Sequence, residues 1–591
     1  MKRSLALLLW LLIALSGLGS LVRPTPSAAA PVVAVPETLE RVPPQPAPPS
    51  AQVAAEGETM TALPQVTGAA QPQPFTLALD RNHGVAPARL ARALQADLVR
   101  DGYELLQVGS PEEAQLYIGY EPPAGFVTLP LTATRFVPVV SYWLPVTEVA
   151  YADLERIFRG EVRTWAELGV SMPERIVRLA LESDPPSPLS PPVAPLLSDA
   201  AALIAALNTS PGGIALIPLA QVDVRMRALR VDGHDPLLEE ELFLGDPLVR
   251  QLYVAIAPDA PAVAARWARA LAARQCVAPL EPAIEVIVVG DIMPGRLVGR
   301  LLSGWDDYTC PFSLVYQTLR AADLTIANLE GALSDHIKPP EERQTMFFVG
   351  NGRFVEGLQY AGIDGVSLAN NHSLNFGPTG VSHTLALLSE AGIAAFGAGM
   401  DLEQARRSAV FEIQGIRFAF LGYDAVSYYY AADQDRAGTA PADPALIAAD
   451  IAAARNQADV VVPYFHWGVE YTHQANRIQE DLARHAVEAG ADLVLGNHPH
   501  WVQGLEYYQG VPIVYSMGNF VFDQGLSIET QQGLILHFVF RGRRLVGLRL
   551  QAIQIAGYYQ PFILPAAQAQ EVYLQVQQFS PSWTHEKGAQ P

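Results

Sequence analysis

Asp492-Leu493-Val494-Leu495-Gly496-Asn497-His498-Pro499-His500 is a short apolar run that stops in a cluster of metal-binding side chains. An unbroken Leu/Val run of this length reads as a strand buried on both faces. Gly496 is expected to let the chain turn tightly, and Pro499 to stiffen the loop so that less entropy is lost on ligation. Two histidines one residue apart can turn both imidazoles toward one cavity, each to a different metal.

Four other stretches share this design. They are Gly290-Asp291-Ile292-Met293, Asn328-Leu329-Glu330, Asn370-Asn371-His372 and His466-Trp467-Gly468. Each follows a predicted strand: Ile284 to Val289, Leu324 to Ala327, Gly365 to Leu368, and Val460 to Tyr464. Asp, Glu, Asn and His are ligands for hard and borderline divalent metals. Five such stretches, each at a strand end, predict a two-metal centre at the carboxyl edge of an α/β sheet. Further strands are expected at Ala394 to Phe396, Phe418 to Gly422, Leu493 to Leu495 and Ile513 to Tyr515, with helices at Thr379 to Ala391, Pro444 to Asn456 and Ile478 to Ala489. Gly392 and Gly490 fall where helix caps belong. Gly533 to Phe540 and Leu545 to Ile555 alternate like antiparallel strands.

The histidines are unevenly placed. Of twelve, only His83 and His234 precede residue 283. His383 and His485 sit within helical patterns and read as packing or surface residues, His473 lies in a polar loop, and His336, His537 and His585 have no supporting context.

The quoted motifs, with Leu368-Ala369-Asn370-Asn371-His372-Ser373-Leu374-Asn375-Phe376-Gly377, His466-Trp467-Gly468-Val469-Glu470-Tyr471 and Tyr515-Ser516-Met517-Gly518-Asn519-Phe520-Val521-Phe522-Asp523, resemble the CapA-type poly-γ-glutamate capsule-synthesis proteins, a branch of the calcineurin-like metallophosphatase superfamily. The resemblance spans most of residues 284 to 525. It implies that Asp291 and His500 bind one metal, that Glu330 bridges, and that Asn371, His466 and His498 bind the second. The metals would be two divalent ions such as Mn, Fe or Zn. His372 would be the general acid for a leaving oxygen. The wider superfamily commonly reads Asp-x-His at the first motif and has an Asp bridge. Here Met293 and Glu330 stand in those positions, and a thioether is a poor ligand for hard metals. Phosphatase activity therefore does not follow from the resemblance alone.

A second resemblance lies upstream. Thr147 to Gly160 with Thr164-Trp165-Ala166-Glu167-Leu168-Gly169, and Ser210-Pro211-Gly212-Gly213-Ile214-Ala215, look like two windows of phosphate-type periplasmic solute-binding proteins. The Ser/Thr/Arg set that such proteins use for an oxyanion is not found. A fold is implied and phosphate binding is not. Phe75 to Leu79, Gln115 to Gly119, Phe136 to Val140 and Gly213 to Ile217 read as strands, and Pro87 to Arg100, Ala200 to Leu207 and Ala260 to Ala273 as helices.

The fold class is thus α/β: a C-terminal metallophosphatase-like sandwich, residues 283–560, preceded by a smaller solute-binding-protein-like α/β domain, residues 75–282. Residues 561–591 read as a C-terminal tail. Lys2 and Arg3 precede an uncharged run from Ser4 to Val22, and Ala28-Ala29-Ala30 offers a cleavage site. Residues 1–22 are expected to export the chain, as a membrane anchor on the extracellular or periplasmic face or as a cleaved signal. Residues 23–74, rich in Pro and Ala, read as a spacer.

The 591 residues are 50% hydrophobic and 17% charged, with a formal net charge of -21 and no Lys/Arg cluster, so no nucleic-acid partner is expected. Cys276 and Cys310 are too few for a disulfide scaffold; one bridge or two unrelated thiols are both open. Expected partners, from the resemblance, are membrane polymer-synthase components and an anionic polymer such as poly-γ-glutamate, with the membrane reached through the N-terminal segment. The protein is then an exported, membrane-associated metal-binding protein of that polymer's biogenesis, either acting on the polymer as a hydrolase-type enzyme or helping to synthesise or export it; a non-catalytic partner of its synthase; or a ligand-sensing surface protein.

Overall fold

Strand Ala283–Ile292 divides its side chains between two cores. Ile284, Val286 and Val288 pack with Phe418, Val460, Val462, Tyr464 and Leu495, while Ile287 and Val289 pack with Val298, Leu302, Leu319 and Leu358. This is the period-two alternation of a strand covered on both faces, and it explains why the sequence here is an almost continuous apolar run. In the computed structural model, which describes residues 72–80, 86–170, 174–181, 187–189, 196–239, 246–274, 281–340, 346–580 and 583, the C-terminal half is built on two such sheets.

The first sheet runs in the order Ala394–Phe396, Gly365–Ser367, Leu324–Leu329, Ala283–Ile292, Gln532–Arg541, Arg544–Ala556, Gln560–Ile563, with Asn519–Val521 also paired to Ala283–Ile292. Its first four strands are parallel and the last three are added antiparallel. The second sheet runs Ala409–Ile413, Ile416–Asp424, Val460–His466, Val494–Asn497, Val511–Val514, Leu505–Tyr508, its middle four strands parallel. The sheets face one another across the core that holds Val286, Phe420 and Val462. Helices Arg296–Trp305, Phe354–Ala361 and Gly377–Glu390 cover the outer face of the first sheet; Pro444–Arg455 and Arg477–Glu488 cover the second. The architecture is a four-layer α/β sandwich.

Local chemistry sets the helix ends. The Asp443 carboxylate accepts from Ala445 and Leu446 N–H ahead of Pro444, and Asn476 and Gln479 form a reciprocal capping box. Gly392 and Gly490 follow their helices at φ 72° and 105°.

Several strands extend beyond their expected ends, among them two that carry site residues. Ala283–Ile292 and Val460–His466 run on through the polar residues that the sequence places after them, so Asp291 and His466 lie within strands. The ladder continues because Asp291 pairs in register with Asn328 and with Asn519 of the short strand Asn519–Val521. That strand crowds the chain closely: a Cβ at Gly290 would sit 2.0 Å from the Gly518 carbonyl oxygen.

The N-terminal half holds a nine-stranded sheet among the described residues, in the order Tyr103–Val108, Gln73–Leu79, Leu116–Gly119, Val249–Ile256, Val127–Ser141, Gly213–Pro218, Val177–Leu181, Leu196–Leu197, with Met226–Ala228 beside Val127–Ser141. The sequence suggests only Phe136 to Val140 of the long central strand. Its first half pairs with Val249–Ile256, and the register shift between Leu252 and Tyr253 falls where Pro130 stands opposite. Trp165 is fully buried and donates its indole N–H to Gly212 O at 3.1 Å, so the two upstream windows meet in space.

Both halves belong to one compact unit, residues 71–591. Val539 and Val546 share a core with Val137, Leu207, Ile217 and Leu237, and the Arg544 guanidinium donates to the carbonyls of Val222 (2.7 Å) and Leu219 (3.2 Å). The stretch read as a tail contains strand Gln560–Ile563 and helix Ala566–Gln578 instead. Val572, Val576 and Trp583 are buried in the inter-sheet core, because the apolar spacing 569, 572, 576 gives that helix a packing face. The expected signal or anchor, the spacer up to residue 71, and Cys276 lie outside the described residues. Among the described residues no helix is long and apolar enough to cross a membrane.

Phe418 is fully buried between the sheets, whereas Val410 on the next strand is 42% exposed. Phe418→Ala is expected to lower stability by about 3–5 kcal/mol and Val410→Ala by about 0.5 kcal/mol or less, compared by urea denaturation.

Candidate metal centre

The carboxyl ends of parallel strands from both sheets deliver all seven sequence-predicted site residues to one place. Asp291 ends the central strand of the first sheet and Glu330 directly follows its neighbour Leu324–Leu329; both are fully buried. Asn371 and His372 lie in the turn after Gly365–Ser367. His466 ends Val460–His466 in the second sheet, and His498 and His500 follow Val494–Asn497.

Distances join them into a single constellation. His466 Nε2 lies 2.9 Å from Asn371 Oδ1, and the His466 and His498 rings are 4.8 Å apart. His498 and His500 ring centroids are 5.8 Å apart. His500 Nδ1 is 3.3 Å from Asp291 Oδ2, and its Nε2 is 3.9 Å from Glu330 Oε1. His372 Nε2 is 3.7 Å from the same Glu330 oxygen. The family resemblance implies a grouping of Asp291 with His500, and of Asn371 and His466 with His498. By ligand-atom proximity, two sets lie within 4.8 Å: Asp291, Glu330 and His466, and Glu470, His498 and His500.

Glu470 is absent from the residues expected at the site. It is half-buried beyond the end of Val460–His466, four residues after His466, and the only sequence signal was its place inside a family-like motif. Met293 is buried, and its sulfur accepts the Gly295 N–H at 3.0 Å, which agrees with packing rather than ligation.

A polar shell fixes the candidate ligands. Asn370 Nδ2 donates to Leu329 O (2.8 Å) and Asn328 Oδ1 (3.2 Å), and Asn328 Nδ2 donates to Asp291 Oδ1 (2.7 Å). One Asp291 oxygen is thereby occupied and the other left for the centre. His500 Nδ1 lies 2.9 Å from Asn519 Oδ1, and Asn519 is itself tied to Thr530 O at 2.8 Å. His372 stacks on Phe348 with ring centroids 3.7 Å apart. Its Nδ1 lies 2.9 Å from Asn375 Oδ1, which also accepts the Phe348 N–H. Such second partners set tautomer and ring orientation.

The backbone of the histidine loop is strained. His498 has φ 98° and His500 φ 58°, on either side of Pro499. Side chains rarely hold that region, and each such residue costs about 1–3 kcal/mol. Gly496, expected to supply a turn, supplies space: a Cβ there would lie 2.3 Å from Trp467 Nε1, whose N–H binds Tyr515 O at 2.8 Å.

Electrostatically the cluster is built of acceptors that suit a cation. Asp291 Oδ2, both Glu330 oxygens and His498 Nδ1 are buried with no hydrogen-bond partner. Leaving buried acceptors unsatisfied is costly, more so for carboxylates. Burial, followed by the Asp291 charge, pushes the Glu330 carboxyl well above its usual range. Burial pushes His498 down to about 3, His372 to about 4, and His466 well below its ordinary value. Burial would lower His500 too, but the Glu330 charge and the Asp291 contacts outweigh it and raise that imidazole to about 9. The rise on His500 requires an ionised Glu330, while the rise on Glu330 favours its neutral form. Neutral imidazoles and carboxylate lone pairs converging in a dry pocket are the donor set of a divalent cation.

A family model described as "Bacterial capsule synthesis protein PGA_cap" matches residues 285–524. The chain is 34% identical over 251 residues to the PGA biosynthesis protein CapA of Bacillus subtilis (strain 168), covering 42% of this chain and 65% of that protein. It is 31% identical over 285 residues to the capsule biosynthesis protein CapA of Bacillus anthracis, covering 46% of this chain and 68% of that protein. The chain thus spans about two thirds of the length of these relatives. A solved ABC-type phosphate transport receptor from Vibrio cholerae aligns at 16% identity over 34% of this chain and 93% of its own, with a TM-score of 0.27, too slight a likeness to assign a ligand. On the sequence relatives alone, the chain belongs to the bacterial capsule synthesis protein PGA_cap family.

Proposed function

We propose that the protein is an exported, membrane-associated metal-binding protein that serves the making or export of an anionic capsule polymer of the poly-γ-glutamate class, beside the components of a membrane synthase, and that its centre holds two divalent metals of the Mn, Fe or Zn kind. The observation that carries the metal part is the set of four buried acceptor atoms without partners, on Asp291, Glu330 and His498, inside one ring of histidines. Two relatives bear names of capsule or PGA biosynthesis, which supports the polymer part. Lys2, Arg3 and the uncharged run Ser4 to Val22 motivate the export part.

Bound divalent cations would supply Lewis acidity and a water of lowered pKa. The chain's own contribution lies in Asn328 and Asn519, which hold Asp291 and His500 in orientation, and in His372. With Nδ1 turned to the Asn375 carbonyl oxygen, His372 keeps Nε2 toward Glu330. Burial leaves this imidazole neutral at pH 7. It takes up a proton when negative charge enters the site, and passes that proton to a leaving oxygen.

A second reading keeps the metals and drops turnover, making the protein a grip for the polymer at its synthase. Met293 favours it, since the chain offers a thioether turned to Gly295 where the wider superfamily offers an imidazole.

Purified wild-type protein is expected to hold divalent metal by elemental analysis, and His498→Ala/His500→Ala to lose it; a wild type without metal defeats the assignment. His372→Ala should retain metal. If the centre is hydrolytic, the same variant should lower turnover of phosphoester or amide probes by about 10²–10⁴-fold. No turnover in a metal-loaded wild type selects the second reading. Metal addition at pH 7 should release protons, because ligation needs His500 and Glu330 unprotonated. With His500 raised to about 9, its proton stabilises the metal-free fold fully below the unfolded value near 6.5 and ceases to do so as pH rises through 9. Apparent metal affinity should climb over that window by up to about tenfold per pH unit. Calorimetry in buffers of different ionisation enthalpy reads the released protons directly.

A further inference from the structure

A second cavity, of about 480 Å³, lies where the N-terminal half meets the outer strands of the first sheet, and none of the candidate metal ligands lines it. Its wall is largely apolar: Trp143 comes from the N-terminal half, Leu548 and Leu550 from strand Arg544–Ala556, and Ile563 from strand Gln560–Ile563. Arg227 stands in that wall, half-buried, on strand Met226–Ala228. The strand pairs antiparallel with the end of Val127–Ser141, placing Arg227 opposite Val140. Met226 packs into a core with Val137 and Ile217, so the strand's alternation sends the Arg227 side chain to the other face.

The other charges around the cavity are already met by the protein. Arg549 pairs with Asp235 and Glu285, which engages Asp235, the one acid among the described lining residues. Arg230 donates to Gly233 O at 2.6 Å and has Glu148 at 3.9 Å. His537 lies 3.1 Å from Glu285 Oε1 and 3.2 Å from Gln551 Oε1. Arg227 differs. Its Nε donates to Tyr142 O at 2.9 Å, and among the described residues its two terminal nitrogens find no acceptor and the guanidinium no carboxylate. The Tyr142 ring centroid is 5.7 Å from the guanidinium carbon, close to the limit of about 6 Å for attraction between a cation and a ring face. The ionisable groups that act on Arg227 are the phenols of Tyr142 and Tyr573, which burial keeps neutral. A cation set in an apolar wall without a counter-charge is costly, and a carboxylate bound by both prongs of the guanidinium removes that cost.

We propose that this cavity binds a small monocarboxylate with an apolar body, its carboxylate forked by the terminal nitrogens of Arg227 and its body lying against Trp143, Leu548, Leu550 and Ile563. One unmet positive charge answers one negative charge; a doubly charged phosphate would bring a second charge that nothing in the wall balances. Ligand pockets of this size and lining, mostly apolar with a few placed polar groups, suit small organic molecules. Neither the metals nor the polymer enters the argument. Since both halves of the chain supply walls, occupancy should also tighten their junction and raise the melting temperature.

The test titrates the full chain by calorimetry with decanoate below its micelle concentration, beside decan-1-ol and decyl phosphate, at about pH 8, where the phosphate carries close to two charges. Decanoate is expected to saturate one site and to bind at least about tenfold more tightly than either analogue. Arg227→Gln should weaken decanoate by about tenfold or more and bring it level with decan-1-ol, and Arg227→Lys, which keeps the charge and loses the fork, should fall between. Gln570→Trp leaves Arg227 unchanged and fills the cavity from helix Ala566–Gln578, so it should weaken decanoate too and keeps the test open if Arg227→Gln does not fold. Metal content and melting temperature without ligand report that each variant retains its fold. No saturable binding of decanoate, equal affinity for decanoate and decan-1-ol, or decanoate affinity unchanged in folded Arg227→Gln or Gln570→Trp overturns the proposal. Tighter binding of decyl phosphate than of decanoate overturns the monocarboxylate assignment.

Discussion

Asp291 and Glu330 are carboxylates sealed from water, and three of their four oxygens have no hydrogen-bond partner. Much of the surrounding structure can be understood as the means of holding them there. Coulomb repulsion and desolvation both oppose placing two carboxylates side by side in a dry interior. The arrangement stands because strand ladders fix one residue and a relay of amides fixes its neighbours. Asp291 is held in register between Asn328 and Asn519, and the Asn370–Asn328–Asp291 chain of hydrogen bonds leaves the acid little rotational freedom. The second sheet brings His466, His498 and His500 to the same edge, so the site exists only where two sheets are packed face to face. A single sheet would offer half a donor set.

That logic explains how much the sequence discloses. Ligands at strand ends are visible because an apolar run that stops at Asp, Glu, Asn or His has little other reason to stop so abruptly. Asp291, Glu330, Asn371, His372, His466, His498 and His500 could all be placed in this way, and the alternation of Ile284, Val286 and Val288 with Ile287 and Val289 already carried the two-core layout. Glu470 was not separable from a solvated acid, because it lies in a loop and its nearness to His498 and His500 depends on a neighbouring strand. Asn519–Val521 is three residues long, too short to show a period, and exists as a strand only because Ala283–Ile292 offers it a partner. The long strand Val127–Ser141 was obscured in its first half by Pro130, which the sheet accommodates at a register shift. Helix Ala566–Gln578 has few charges to mark an outer face, so its packing side was easily read as a featureless tail.

The two halves of the described chain share more than a boundary. The strands Gln532–Arg541 and Arg544–Ala556 extend the first sheet beyond the Asp291 strand, and the turn between them reaches the N-terminal half. Arg544 satisfies carbonyls of Val222 and Leu219, while Arg549 pairs with both Asp235 and Glu285, the latter also 3.1 Å from His537. His537, without context in the sequence, is thus a member of an ion-pair network at this junction. Two further outlying histidines also serve structure: His383 bonds Ser334 at 2.8 Å and His485 bonds Pro444 O at 2.8 Å.

The left-handed backbone at His498 and His500 has a bearing on how variants of this protein should be judged. Glycine adopts those angles at little cost, whereas histidine does not. Exchange of either imidazole for glycine would relieve conformational tension and erase a donor at the same moment. Selection for thermal robustness alone would therefore reward sequences that have given up these imidazoles, and folding yield at these two positions is a poor measure of whether the cluster is intact.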